Sequence, residues 1–450
     1  MRGGKSFLVL LVLALGLGAY IFFVESKREP AGDTAAVKKE KAFSTDSSKF
    51  EQIEVKAESG DTTILRKKDG LWEITAPEAM PADTTEVGNL VSSLESLEIQ
   101  SVIDENPKTP KEFGLEPARF SVAFTPAGAA APTRLEVGRK TPTGGDLYAR
   151  VAGQPRVFLI SGFLEDSFNK TAFKLRDKTI LKFERDAADV LTVDRAEAPS
   201  MSLTKKGSDW RFTKPVDAKA DFNLVDGLVG KLHQAKMTGI ETADGTKDLK
   251  KYGLDKPQVV ATLGMGSATA KFELGGEAEA GTVWARDPSK TAVFSVNNGV
   301  AGELKKKVAD LRRKEVFEFR PYNTTRFEIT RGSTVLAFER VKGTGENPVD
   351  TWKQVVPADK AVDSSNFEGA LLEFSNLRAE SFVDRAGPAT GHDKPAATIV
   401  VKFDDGKKEE RVTFGTAGTS VFATRADQPG ALKLEAGKYE AATKKLDGIQ

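Results

Sequence analysis

Three tryptophans set the frame of this chain. Trp72, Trp210 and Trp352 each have a proline five residues on, at Pro77, Pro215 and Pro357, and an aspartate six residues beyond that, at Asp83, Asp221 and Asp363. The tryptophans lie 138 and 142 residues apart, so the repeating unit is a whole small domain and not a short solenoid repeat. A chain of 450 residues is too long for one core and accommodates about three domains of ordinary size.

Around each tryptophan the pattern reads the same way. Short alternating runs come first (Ile53 and Val55, then Thr62 to Leu65, then Trp72 and Ile74), with Asp69-Gly70 as a turn; this predicts strand, strand, turn, strand. The aspartate then opens a helix, since its carboxylate can accept from free backbone N–H groups, and Glu86 three residues after Asp83 completes a capping-box pattern. Val87, Leu90, Val91, Leu94 and Leu97 fall on one helical face. The same register returns at Leu224, Val225, Leu228, Val229 and Leu232, and at Phe367, Ala370, Leu371, Phe374 and Leu377. Three matching aspartates would also suit a repeated metal or acid site, but helix capping accounts for all three.

A second marker follows each helix: Phe113-Gly-Leu-Glu-Pro117, Tyr252-Gly-Leu-Asp-Lys-Pro257 and, in altered form, Gly391-His-Asp-Lys-Pro395. Its glycine reads as a left-handed residue ending a short helical turn, with the proline blocking continuation. The clustered glycines of a phosphate-binding loop are missing. A β meander comes next in each unit, with short alternating strands that predict antiparallel sheet with one wet face. The first two units end in Leu175-Arg-Asp-Lys178 and Leu311-Arg-Arg-Lys314, basic clusters read as solvated helix ends or salt bridges to the next unit.

The N-terminus is of another kind. Phe7 to Val24 is an uncharged apolar run, which as a helix would cover about 27 Å, near the hydrocarbon thickness of about 30 Å. Arg2 and Lys5 precede it, favouring an N-inside orientation, while Lys27 and Arg28 oppose that bias. Because Tyr-Ile-Phe-Phe-Val follows Gly18-Ala19 at once, the run is expected to be an uncleaved single-pass anchor and not a signal peptide. The expected fold class is α+β: an N-terminal transmembrane helix followed by three tandem α+β modules with antiparallel sheets. The expected division is an anchor at 1–25, a polar linker at 26–48, and modules at 49–186, 187–320 and 321–450, the third divergent and truncated.

Composition excludes several chemistries. Lys and Arg total 66 against 65 Asp and Glu, so no basic field exists for nucleic acid. Cysteine is absent, which removes disulfides, thiolate metal sites and cysteine nucleophiles. With His233 and His392 the only histidines, imidazole-based metal or triad chemistry has little material. No nucleophile elbow, zinc-protease motif or P-loop is present. The sequence therefore nominates no catalytic residue, no metal ligand and no cofactor site.

The recurring Trp, Pro, Asp and Gly positions, with Leu147 to Val151, Val283-Trp-Ala-Arg286 and Val421-Phe-Ala-Thr424 on the meanders, resemble a bacterial family of unknown function, DUF4340. The third unit departs from the pattern: Val356 precedes Pro357 and no Tyr-Gly-Leu survives. The resemblance implies membrane-anchored envelope proteins, some encoded beside ABC-type exporters linked to gliding motility, and it supplies no catalytic residues. The leading expectation is a non-enzymatic extracytoplasmic scaffold or adaptor. It would be held at the bacterial inner membrane by residues 7–24, with its C-terminal bulk in the periplasm or outside, and would serve an envelope partner such as an ABC transporter. The alternative is an extracytoplasmic module binding glycan or peptide, which would need exposed aromatics; Trp72, Trp210 and Trp352 are instead expected in the core.

Overall fold

The computed structural model describes residues 40–449 apart from 243, 246, 280 and 345–347. The chain divides into two compact units after Asp177. The first holds one nine-stranded antiparallel sheet and the second holds two.

In the first unit the strands are β1 (Phe50–Lys56), β2 (Thr62–Lys68), β3 (Leu71–Ala76), β4 (Met80–Pro81), β5 (Ser101–Asp104), β6 (Phe120–Pro126), β7 (Thr133–Lys140), β8 (Asp146–Val151) and β9 (Val157–Ser161). Their spatial order is β4-β3-β2-β1-β6-β7-β8-β9-β5. The chain meanders from the centre to one edge and crosses under the sheet as helix α1 (Thr84–Glu95) to become the opposite edge, β5. It then returns to the centre beside β1 and meanders out to meet β5. Two short helices, α2 (Leu164–Phe168) and α3 (Ala172–Leu175), follow β9.

The second unit repeats this plan twice. One sheet contains β10 (Val190–Arg195), β11 (Ala198–Lys206), β12 (Asp209–Lys214), β13 (Ala218–Lys219), β14 (Met237–Thr242), β15 (Val259–Met265), β16 (Ala268–Glu277), β17 (Thr282–Arg286) and β18 (Val293–Asn297). Its crossing helix is α4 (Phe222–Gln234), and α5 (Asn298–Leu304) and α6 (Val308–Leu311) close it. The other sheet contains β19 (Thr324–Arg331), β20 (Thr334–Val341), β21 (Thr351–Val356), β22 (Lys360–Ala361), β23 (Ala379–Val383), β24 (Ala397–Phe403), β25 (Lys408–Ala417), β26 (Ser420–Arg425) and β27 (Ala431–Leu434). Its crossing helix is α7 (Ser364–Ser375), and one longer helix, α8 (Ala436–Asp447), follows β27.

Side-chain alternation explains the layers. Ile53, Val55, Leu65, Ile74, Val122, Leu135 and Val137 are buried on one face, under Val87, Leu90 and Leu94 of α1. The opposite face is wet and carries cross-strand ion pairs such as Arg134–Glu54 at 2.9 Å. Each apolar side chain so buried contributes roughly 1.5–3 kcal/mol of transfer free energy, and the crossing helices supply three or four apiece. The third core is aromatic, with Phe338 and Trp352 against Phe367 at ring-centroid distances of 4.4 and 4.7 Å.

One expectation changes. The fold is mostly β, with 44% strand against 21% helix, and not α+β. The two-residue strands beside the cis prolines and the edge strands β5, β14 and β23 carry too little apolar alternation to be read from sequence, yet their backbones complete each sheet. The third sheet has nine strands in the same order as the other two. The transmembrane helix expected over Phe7–Val24 lies outside the described residues, and among those described no helix is long and apolar enough to cross a membrane.

Backbone pairing also joins each sheet to the chain before and after it. A leading segment clips to the residue just ahead of the far-edge strand in all three sheets: Lys41 opposite Glu98, Thr179 opposite Lys236, and Glu315 opposite Arg378. A trailing segment clips to the near edge in the first two: Arg176 opposite Ala82, and Arg312 opposite Ala220.

Candidate functional site

The recurring residues are the first place to look for chemistry, and each is occupied in shaping the fold. Asp83 accepts from the backbone N–H of Thr85 and Glu86 at 3.0 and 3.1 Å. Asp221 accepts from Leu224 at 3.1 Å and Asp363 from Asn366 at 2.9 Å. All three are helix N-caps. Glu86 does not close a capping box; its carboxylate pairs with the Lys170 ammonium.

The peptide bonds before Pro77, Pro215 and Pro357 are all cis. Trp210 and Trp352 are 1% and 2% exposed, but Trp72 is only half-buried. Phe222 shares the Lys205 ammonium with Trp210, each ring centroid 5.7 Å from the nitrogen. Trp352 is covered by Arg340 at 4.9 Å and Phe367 at 4.7 Å; Thr84 and Ser364 hold the place of Phe222 in the other two sheets.

The second marker works together with the meander. Gly114, Gly253 and Gly391 all have left-handed backbones, with φ of 69°, 65° and 71°. Phe113 packs on Tyr148 at 5.0 Å and Tyr252 on Trp284 at 5.3 Å. Behind them Gly138, Gly275 and Gly415 sit mid-strand, where a Cβ would come within 3.0 Å of the carbonyl oxygen of Phe113, Tyr252 and Thr390 respectively. These strand glycines were readable in principle, because glycine inside a strand marks close backbone approach.

On the other face of the same strands, Arg150 pairs with Glu136 at 2.7 Å and Arg286 with buried Glu273 at 2.6 Å. In the third sheet Thr413 and Thr424 stand opposite each other instead. His392 turns inward there, with Nδ1 2.9 Å from the Thr390 hydroxyl and Nε2 3.2 Å from the Thr413 carbonyl. His233 lies edge-on to Phe183 at 5.3 Å. Neither histidine meets a second titrating partner in these contacts.

The densest buried charge lies within the second unit, where its two sheets join. Arg425, at the end of β26, donates through Nε and Nη2 to the two Asp427 oxygens at 2.9 and 3.1 Å. Its Nη1 donates to the Val316 carbonyl at 2.5 Å and lies 3.6 Å from Glu410. Glu318 receives Lys219 at 2.7 Å and Arg313 at 2.6 Å. Glu410 accepts from the backbone N–H of Glu318 at 2.9 Å and of Phe319 at 2.9 Å. Three cations and three carboxylates thus balance.

Burial acts on both glutamates but with opposite results. For Glu318 the desolvation penalty is outweighed by Lys219 and Arg313, and its carboxyl falls to about 2. For Glu410 desolvation wins over the two backbone donors and Arg425, and its carboxyl is raised. Two carboxyls driven apart in this way resemble an acid and base pair. The adjoining cleft of about 430 Å³ is lined by Lys219, Glu318, Glu410, Arg425 and neighbours, none bearing a hydroxyl, thiol or imidazole. Glu410 is committed to two backbone N–H groups and Glu318 to two cations, so the arrangement locks β13 and the connector to the third sheet. No local pattern announces it, because the partners are spread from Lys219 to Asp427 without a motif.

The second of the basic clusters, at Leu311-Arg-Arg-Lys314, takes part in the same joint. Arg312 is 7% exposed, lies over the Phe382 ring at 3.8 Å and donates to Gln428 at 3.1 Å. Arg313 reaches Glu318. Here the expectation of salt bridges to the next unit matches the observed contacts, and that of solvated ends does not. Among the described residues no group of His, Asp and Glu is arranged to hold a metal ion.

The family model for the domain of unknown function DUF4340 matches residues 72–211 and again 210–397. No curated protein matches the chain. Each match opens on a tryptophan, Trp72 or Trp210, so the family unit starts on the third strand of a sheet and not at its first. With tandem matches running from Trp72 to Ala397, well over half of its length, the chain belongs to the DUF4340 family.

Proposed function

We propose that this protein is a non-enzymatic scaffold or adaptor of the bacterial cell envelope. In this reading the apolar run Phe7–Val24 attaches it to the inner membrane, and its sheets, outside the cytoplasm, present repeated edges and wet faces to a membrane-protein partner, an ABC-type transporter complex being the candidate. One observation carries the reading: the residues repeated in all three modules are caps, turns and core, and the densest buried charge cluster among the described residues is paired within itself. Repetition has been spent on building the same body again, which favours extended contact with a large partner over chemistry at one point. The glycan- or peptide-cleft alternative is disfavoured by the burial of Trp210 and Trp352. Crosslinking in membranes, followed by capture of the full chain, is the test. A discrete envelope membrane protein should co-purify; a chain recovered only as a free monomer sinks the proposal.

A further inference from the structure

We propose that the near edge of the third sheet, from Ala361 to Asp363, docks an extended segment of a partner protein with the pattern Leu-Arg-polar-Lys. The inference rests on the scaffold reading and names how the partner is held.

The argument comes from the two sheets where the same edge is filled. In the first unit Asp83 donates its backbone N–H to the Leu175 carbonyl at 2.8 Å, and Asp177 donates to Pro81 at 2.9 Å. In the second sheet Asp221 donates to Leu311 at 2.8 Å, and Arg313 donates to Lys219 at 3.0 Å. Both resident strands come off a short helix and read Leu-Arg-Asp-Lys or Leu-Arg-Arg-Lys. Their leucines are fully buried, and the arginine stands directly across from the alanine that precedes the capping aspartate.

The third sheet offers the same edge without such a strand. Its β22 pairs inward with β21 as in the other sheets, and Asp363 caps α7 as Asp83 and Asp221 cap their helices. The chain after β27, however, forms the single helix α8, which packs Tyr439, Ala442 and Leu446 into the core. Among the described residues no group bonds to the Asp363 N–H or the Ala361 carbonyl, and both residues are exposed. An unpaired edge donor and acceptor at antiparallel spacing is the template for strand addition, in which main-chain bonds give affinity and alternate side chains give specificity. The two resident strands state what fits: an apolar residue, an arginine opposite Val362, then a polar and a basic residue.

The test uses the full chain and a labelled synthetic peptide with the sequence of residues 173–180, Phe-Lys-Leu-Arg-Asp-Lys-Thr-Ile. Saturable binding by fluorescence anisotropy is expected, with slowed hydrogen exchange at Asp363 and no change at Asp83 or Asp221. N-methylation of the peptide's aspartate nitrogen, which removes the donor to Ala361, should weaken binding by about tenfold. No binding at about 1 mM peptide, an N-methyl peptide that binds equally well, or protection elsewhere would overturn the proposal. So would self-association of the chain that the peptide fails to reverse, since that would assign the edge to a second copy. Failed peptide binding with a partner still captured from membranes sinks the docking edge alone, whereas peptide binding without any captured partner sinks the scaffold.

Discussion

The second and third sheets share one strand order and one capping device, yet they are fastened by different parts. The second sheet carries a glutamate–arginine pair on the face away from its crossing helix, Glu273–Arg286, and a trailing segment on its near edge. The third replaces the ion pair with Thr413 and Thr424, has no such segment on that edge among the described residues, and closes on the long helix α8. What stays constant is backbone geometry: the left-handed glycine, the strand glycine behind it and the capped crossing helix. That side-chain pairing is exchangeable: Glu273 is only 5% exposed, and replacing both partners of a buried ion pair together, as the two threonines do, is often close to neutral. A close approach of two backbones admits only glycine and does not drift.

That contrast can be attacked at four places. Truncating the buried indole should cost most: Trp352→Ala and Trp210→Ala are expected to lose about 4 kcal/mol each, while half-buried Trp72→Ala loses clearly less, all read from urea denaturation. Equal losses at all three would show that the deeper burial of Trp210 and Trp352 has no energetic meaning. Next, Gly275→Ala and Gly415→Ala should each cost about 3 kcal/mol through the forced shift of a neighbouring carbonyl, and by the same amount in either sheet. A tolerated alanine at one of them would break the equivalence of the two modules.

The joint gives a pH signature. The folded pKa of Glu318 is depressed from its ordinary 4.5 to about 2, so its contribution is fully present above pH 4.5 and is lost as pH falls toward 2. Glu318→Gln should therefore destabilise the second unit by about 2 kcal/mol at neutral pH, and the gap from wild type should narrow on acidification. Glu410 works the other way: its raised carboxyl favours the fold at low pH and loses that contribution as pH rises through the folded value. A gap that stays constant from neutral pH down to pH 2 would show that Glu318 is not held by Lys219 and Arg313. Smallest of all, Asp83→Ala, Asp221→Ala and Asp363→Ala should each cost about 1 kcal/mol, detectable as a lowered melting temperature. A much larger effect at one aspartate would reopen the case for a site there.

The tryptophan cassette, the capped helices and most central strands were legible because side-chain period and cap chemistry are written locally. Val87, Leu90 and Leu94, or Phe367, Leu371 and Phe374, announce a buried helical face whatever surrounds them. The edge strands were not legible, since β5 and β22 are held by main-chain bonds to which sequence pattern is blind. The same holds for the clips of Thr179 to Lys236 and of Glu315 to Arg378, where any residue with an N–H and a carbonyl would serve. The Glu318–Arg425 cluster escaped for a different reason: its members share no spacing, and only the packing of one sheet on the next brings them together. Gly138, Gly275 and Gly415 were visible as glycines inside strands, but their common role needed the carbonyl of the preceding marker to be seen.

The paired clips have a mechanical side. In the second sheet the chain arrives beside β14 and leaves beside β13, at opposite margins, each time through two main-chain bonds: 2.9 and 3.3 Å on arrival, 2.8 and 3.0 Å on departure. Buried Ile180 and Leu311 and the pairs of Lys219 and Arg313 with Glu318 back those bonds. Tension drawn along the polypeptide therefore crosses the sheet from margin to margin and loads side-chain packing together with the main chain.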